Sequence, residues 1–377
     1  MPAGAAQNPL VEILVARIRA QGPITFADYM DTCLYHPEFG YYTRSDVSPR
    51  RDYYTSVDLH PMFGSLLARQ LQEVWVVMGR PAPFYLVEAG AGTGDLARVI
   101  LDFVAETFGD FYSALRYQVV EVSVARRREH AVQLARHIEA GRVESLGELP
   151  GAIACGCIFS NELLDALPVR RVSFSGGELR EIHVNYEDAR FQEVELALST
   201  PVLGAYFTEQ GISLHEEQQT EAGLGVVRWI REAGRRLGKG LVLTIDYGRE
   251  ARELYDQRHM RGTLLAYQRH RVGEDYYRAP GLQDLTAHVN FTAMDLWGGR
   301  AGLLRCGLVS QGNFLMALAR KSHFAELESS GGGEADAARR RLMFKTLIYP
   351  EGMGEMFQVF VQRKGMGEIQ LAGLEAL

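Results

Sequence analysis

The stretch Leu86-Val-Glu-Ala-Gly-Ala-Gly-Thr-Gly-Asp95 decides the fold. An apolar run, Phe84–Val87, ends in an acid, Glu88. Gly90, Gly92 and Gly94 then alternate, and Asp95-Leu-Ala-Arg-Val-Ile-Leu-Asp-Phe-Val follows with helical spacing. A buried strand that feeds a glycine turn into a helix is where an α/β sheet receives a nucleotide-like ligand. The spacing is E-x-G-x-G-x-G and not the dinucleotide G-x-G-x-x-G. A carboxylate at the strand end repels a pyrophosphate and suits a ligand that carries positive charge.

Outward from this loop the chain alternates strand and helix. The pattern predicts strands at Phe84–Glu88, Arg116–Glu121 and Ile153–Ser160, with helices at Asp95–Phe108 and, capped by Ser123, over Ser123–Ala140. Short alternating runs at Arg170–Phe174, Leu179–Asn185 and Phe191–Leu196 predict an antiparallel insertion. A helix at about 218–237 leads into a buried strand, Leu241–Gly248, and helices near 292–303, 311–319 and 336–347 precede a last strand, Met356–Gln362. Strands alternating with helices over 84–250 imply a mostly parallel sheet with right-handed crossovers. Ahead of it, residues 9–36 read as helical, with Thr25 as a cap, and the loop Tyr35-His-Pro-Glu-Phe-Gly-Tyr-Tyr42 is too aromatic for a disordered leader. The expected organisation is a helical and aromatic cover segment over residues 1–80, then a domain over 81–377 with an insertion at about 169–237.

Composition excludes several classes. A net charge of −7 argues against broad nucleic-acid binding. Cys155 and Cys157 alternate within an apolar run, and C-x-C here lacks further Cys or His at ligand spacing, so no metal site is expected. Four cysteines in 377 residues make no disulfide framework. Met1–Pro9 has neither a basic nor an apolar region of a secretory signal, and no run approaches the roughly 20 apolar residues of a membrane span. The expectation is a cytoplasmic protein with no membrane insertion.

Chemistry concentrates at strand ends. Glu121 closes the second strand, where an acid can accept both hydroxyls of a ribose. S-adenosylmethionine, with a sulfonium, an ammonium and no phosphate, suits the acid Glu88 beside Gly90, Gly92 and Gly94. The run Phe159-Ser-Asn-Glu-Leu-Leu-Asp-Ala-Leu-Pro168 follows the next strand, so Asn161, Glu162 and Asp165 should face the reactive end of such a cofactor. An amide beside carboxylates suits a guanidinium or amine; the same residues also suit a helix start, with Asn161 as cap. Asp246 is by position another rim carboxylate. His288 is a base or substrate contact, or a structural histidine.

Several strings resemble the MidA family. They are Ile24-Thr-Phe-Ala-Asp-Tyr-Met30, Cys33-Leu-Tyr-His-Pro-Glu-Phe-Gly-Tyr-Tyr42, Asp52-Tyr-Tyr-Thr-Ser56, Phe63-Gly64, Ser160-Asn-Glu-Leu-Leu-Asp-Ala-Leu-Pro168, Ile245-Asp-Tyr-Gly248, Arg261-Gly-Thr263 and Asp284-Leu-Thr-Ala-His-Val-Asn-Phe291. The resemblance covers most of the chain. It implies a Rossmann-like class I methyltransferase sheet with S-adenosyl-L-methionine as donor, and Thr55 and Ser56 join Glu88, the three glycines and Glu121 at the cofactor. It further implies protein arginine methylation of a respiratory complex I-type subunit, with Glu162 and Asp165 orienting the guanidinium. A small-molecule O- or N-acceptor, a non-catalytic assembly factor and a homodimer stay open as alternatives. Two segments depart from the family: its G-P-G-R-G loop reads Gly90-Ala-Gly-Thr-Gly94 here, and its Thr-Ser/Ala-Pro-Glu segment reads Thr55-Ser-Val-Asp58.

Overall fold

The computed structural model describes residues 8–44, 61–269, 271–325, 334–349 and 352–375. Thr55 and Ser56 lie outside these residues. The chain divides into two units interleaved along the sequence: residues 54–163, 229–248 and 295–377 form one, and residues 1–53, 164–228 and 249–294 the other. The expected boundaries at residue 80 and at 169–237 fall elsewhere. One physical reason is the helix Pro61–Val77, whose Phe63, Leu66, Leu67 and Leu71 are buried in the core of the first of these units.

That unit is built on a sheet of β1 (Phe84–Ala89), β2 (Leu115–Val120), β3 (Val143–Leu146), β4 (Ile153–Asn161), β5 (Leu237–Arg249), β6 (Leu304–Ser310) and β7 (Phe357–Lys364). The spatial order is β3-β2-β1-β4-β5-β7-β6. All neighbours from β3 to β5 are parallel, and β7 runs antiparallel to both β5 and β6. This is the mostly parallel sheet that the alternation predicts and the Rossmann-like α/β fold that the resemblance implies, with an antiparallel strand beside β5. Its inner strands β1 and β4 and the centre of β5 are largely apolar on both faces, as in parallel sheets that helices cover on both sides. The helix Asp95–Thr107 buries Leu96, Ala97, Ile100, Leu101 and Val104, a stripe at helical spacing. Phe111, Tyr117, Phe159, Leu243 and Phe357 complete the same core, each contributing about 1.5–3 kcal/mol through its burial. The strand order reverses between β1 and β4, so the crevice beyond their carboxyl ends is the switch point at which such sheets take ligands.

The other unit is mainly antiparallel. Arg170–Ser175 pairs with Glu178–Glu187 on one side and with Gln218–Ala222 on the other, and Arg190–Leu196 pairs with Glu178–Glu187. The two hairpin turns are Gly176-Gly177 (φ 59 and 79) and Asp188-Ala189 (φ 51 and 60). Both are two-residue turns with positive φ at each position, the form whose twist matches the flanking strands. Residues 218–222, expected to begin a helix, are a strand instead. Gln218 and Thr220 are buried, and the helix itself is Leu224–Arg236.

The N-terminal aromatic residues belong to this unit's interior. The hydroxyls of Tyr29, Tyr35 and Tyr42 donate to Tyr276 O, Ala166 O and Asp284 Oδ2 at 2.9, 3.1 and 2.7 Å. Among the described residues no helix is long and apolar enough to cross a membrane.

Candidate functional site

The glycine loop is fastened to the ends of its neighbouring strands. Gly90 N and Ala91 N both donate to Val120 O, at 2.9 and 3.0 Å, and Gly92 N donates to Glu121 Oε2 at 3.0 Å. Gly90, Gly92 and Gly94 all have positive φ, at 74, 56 and 88. Their surroundings differ. A Cβ at Gly90 would lie 2.8 Å from Leu163 Cδ1 and one at Gly94 3.2 Å from His130 Cδ2, whereas one at Gly92 would meet nothing within 4 Å. Two glycines therefore serve packing, and the third leaves the loop open on one side.

Glu121 sits at the centre of this arrangement. It is buried, and while Oε2 holds Gly92, Oε1 accepts from Ser123 N at 2.8 Å. Ser123 caps the helix Val124–Gln133, so one carboxylate ties the glycine loop to the start of the next helix. Each carboxylate oxygen retains a further lone pair for hydroxyl donors.

Glu88 differs from its expectation as an open acid facing a cation. It is buried, and it accepts from the Tyr117 hydroxyl at 2.6 Å. Burial pushes its carboxyl up to about 8; the Tyr117 hydrogen bond opposes that rise, and the nearby charges of Asp95 and Glu121 reinforce it. At neutral pH it is mostly protonated, so it braces the strand end as a neutral group and ionises readily beside a cation.

At the end of β4, Glu162 adopts φ 53, rare for a residue with a side chain. Its N–H donates to Ile245 O at 3.0 Å, and Leu163 N donates to Asp246 Oδ2 at 3.1 Å. Asp246 is fully buried and its Oδ1 accepts from Tyr247 N at 2.9 Å. It is not a rim carboxylate but the anchor of the turn that presents Glu162. Asn161 Nδ2 donates to Glu162 Oε1 at 3.1 Å, which orients that carboxylate. A strained, over-determined acid at the carboxyl edge of a sheet is a marker of function.

Asp165 and His288 fall in the antiparallel unit. Asp165 is buried and its carbonyl accepts from Ala287 N at 2.9 Å. His288 N donates to Thr263 Oγ1 at 3.0 Å, and burial lowers the imidazole to about 4, so the ring is neutral at physiological pH. It lines a cavity of about 20 Å³ with Glu221, Thr263, Tyr206, Tyr255 and Asn290, room for about one water. Glu221 there is held by Thr263 N at 2.9 Å.

One residue escaped the sequence reading. His130 is fully buried, with Nε2 2.8 Å from Gly92 O and Nδ1 2.8 Å from Ser145 Oγ. Nothing in the Arg-rich segment around it marks it, because its role depends on what the loop and β3 bring to it. Among the described residues no group of three or more His, Cys, Asp or Glu side chains could hold a metal ion.

The site chemistry fits S-adenosyl-L-methionine. The loop has an open side at Gly92, a carboxylate with spare acceptor capacity stands at the end of β2, and a carboxyl poised near neutrality stands at the end of β1. Residues 66–309 match the profile of the Methyltransf_28 family of S-adenosyl-L-methionine-dependent methyltransferases. The chain is 28% identical to "Protein arginine methyltransferase NDUFAF7 homolog, mitochondrial" of Drosophila melanogaster, over 97% of this chain and 87% of that one. It is 25% identical to the Homo sapiens protein arginine methyltransferase NDUFAF7, over 95% and 84%. The crystal structure of a Burkholderia thailandensis protein bound to S-adenosyl-homocysteine superposes with a TM-score of 0.85 at 30% identity, covering 99% of this chain and 97% of that one. These relatives from Drosophila melanogaster and Homo sapiens are mitochondrial by name, which overturns the cytoplasmic expectation.

Proposed function

The chain belongs to the Methyltransf_28 family and is an S-adenosyl-L-methionine-dependent methyltransferase, and we propose that its acceptor is an arginine side chain of a protein. The observation that carries this reading is Glu162, held at φ 53 with Asn161 on its carboxylate, in a chain whose near full-length relatives are named protein arginine methyltransferases. A guanidinium is planar, cationic and matched to a carboxylate by charge-assisted hydrogen bonds. Glu162 would grip it and aim one nitrogen, and Asn161 would keep the carboxylate from turning away. The bound cofactor supplies the electrophilic methyl group. Rate comes from fixing the nucleophile within reach of it and from offsetting the charge of the guanidinium as it loses a proton.

The cofactor contacts in this proposal are Glu121, Gly90, Gly92 and Gly94, with Glu88 behind them. Thr55 and Ser56 keep the cofactor role that the family resemblance implies.

The test uses isotopically labelled S-adenosyl-L-methionine, the full-length protein, arginine-bearing protein subunits and small amines and alcohols, followed by intact-mass analysis. Methyl mass on a protein arginine supports the proposal, and label found only on a small molecule refutes it. Glu162→Gln and Asp165→Asn should each abolish transfer while leaving affinity for the cofactor within about tenfold. Collapse of cofactor binding in either would move that acid from the acceptor to the cofactor.

A further inference from the structure

We propose that His130 is a positioning residue for the methyl donor, acting through the Gly92–Thr93 peptide. The two ends of the argument meet at Gly92. Its N–H is held by Glu121 Oε2 at 3.0 Å and its carbonyl lies 2.8 Å from His130 Nε2. A carbonyl oxygen only accepts, so Nε2 carries the proton in that contact. Nδ1, 2.8 Å from Ser145 Oγ, is then the acceptor of the serine hydroxyl in the neutral ring. Ser145 is on β3, so the imidazole bridges the glycine loop and the outer strand of the parallel run.

This fixes more than one hydrogen bond. In a planar trans peptide the C=O and the following N–H point in opposite directions. With Gly92 O turned to His130, the Thr93 N–H is turned to the opposite side of the loop. At Gly92 itself a Cβ would meet open space, whereas at Gly94 it would meet the His130 ring at 3.2 Å. The imidazole thus occupies the closed side of the loop and leaves a backbone donor available on the side where a cofactor's oxygens can accept it. Without the imidazole the peptide can rotate, and Gly92 at φ 56, with no Cβ, offers little resistance.

The start of the same helix is tied to the other restraint. Ser123, its cap, donates to Glu121 Oε1 at 2.8 Å, and His130 lies on the same helix, Val124–Gln133. His130 on this helix and Glu121, tied to the helix cap, therefore act on the C=O and N–H of one residue. A cluster of this kind sets the geometry of a binding loop before the ligand arrives, which lowers the ordering cost of binding.

Two amide substitutions separate the roles of the two ring nitrogens. In His130→Gln the terminal NH₂ can stand where Nε2 stood and reach Gly92 O; in His130→Asn the shorter amide can stand only at the Nδ1 position and reach Ser145. Affinity for S-adenosyl-homocysteine is measured by calorimetry on each folded variant, with amide hydrogen exchange at Gly92–Gly94 in the free protein. The expected result is binding weakened by about tenfold or more in His130→Asn, with faster exchange in the loop, and within about threefold of wild type in His130→Gln. Equal affinity in all three proteins overturns the proposal, as does an equal loss in both variants. Ser145→Ala keeps the imidazole in place but removes its backing, and a loss of about two- to fivefold is expected. If His130→Asn does not fold, unchanged binding in Ser145→Ala together with lost binding in His130→Gln overturns it.

Discussion

Glu88→Gln tests the electrostatics beneath the glycine loop. In the folded protein the Glu88 carboxyl is raised from 4.5 to about 8, mainly by burial. In the unfolded chain it returns to the ordinary value. Between these limits the native state holds a proton that the unfolded state has released, so stability falls as pH rises. The contribution is fully present below about 4.5 and is lost by the time pH passes 8. The slope is about 1.4 kcal/mol per pH unit, and the whole span is worth about 5 kcal/mol. Glutamine approximates the protonated acid in shape and charge, and its carbonyl can still accept from Tyr117. It has no proton to lose, so this slope should vanish from the variant. The packing offset of the substitution is the same at every pH and cancels from the difference between the two curves. By pH 7 the variant should have gained about 3 kcal/mol on wild type relative to pH 4.5. The assay is urea unfolding followed by tryptophan fluorescence at pH 5, 6, 7 and 8. Trp75, Trp229 and Trp297, the three tryptophans of the chain, all lie in the unit that contains Glu88, so the signal reports that unit alone. A wild-type-minus-variant difference that stays flat across this range would refute the reasoning.

The glycines should separate by consequence. Gly90→Ala combines positive φ with a 2.8 Å approach to Leu163 Cδ1 and should cost about 2–4 kcal/mol by thermal or urea unfolding. Gly92→Ala, with open space around it, should cost only about 1 kcal/mol of stability. It should nevertheless weaken S-adenosyl-homocysteine binding in calorimetry by about tenfold or more, because the added methyl stands on the side of the loop that faces ligand; the reverse ranking of the two variants would count against the loop assignment. Asp246→Asn should lose an acceptor for Leu163 N or Tyr247 N and cost about 1–3 kcal/mol. Steady-state kinetics of that variant should show kcat falling while KM for the cofactor holds, since the turn it anchors carries Glu162. His288, lowered to about 4 by burial, stays neutral in the native state where the unfolded chain takes up a proton near 6.5. Its contribution to stability is present above that value and is lost as pH falls towards 4. His288→Gln should flatten that acid limb in urea unfolding followed by tyrosine circular dichroism, and parallel curves for the two proteins would show the assignment to be wrong.

The sheet was legible in the sequence where burial writes a local signal. Parallel strands covered on both faces read as near-continuous apolar runs, which is why β1, β4 and the centre of β5 stand out, while β2 shows alternation, with Arg116 exposed and Gln118 half-buried. The same logic explains what was missed. Val143–Leu146 is the edge strand β3, with Glu144 and Ser145 exposed, so no apolar run announces it. Leu304–Ser310 is largely half-exposed along β7 and carries a register shift between Arg305 and Gly307. Gln218–Ala222 is mostly good helix formers (Gln, Gln, Glu, Ala), yet pairing with Arg170–Phe174 buries Gln218 and Thr220 and overrides local propensity.

For the site, residue type and position along a strand were legible, but direction was not. Glu88, Glu121 and Asp246 all close apolar strands and look equivalent in one dimension. Three different sets of partners part them: a tyrosine hydroxyl donates to Glu88, which burial neutralises, two backbone amides of a loop and a helix start occupy Glu121, and one amide of the turn after β4 and one of β5 occupy Asp246. The turn after β4 instead leaves an acid, Glu162, oriented by a side chain and held in a conformation that costs energy to keep. Glu88, Glu121 and Asp246 thus build the crevice, and Glu162 is presented by it. A substitution at Glu88 or Glu121 should therefore register in stability or cofactor affinity, one at Asp246 in stability and turnover, and one at Glu162 in turnover alone.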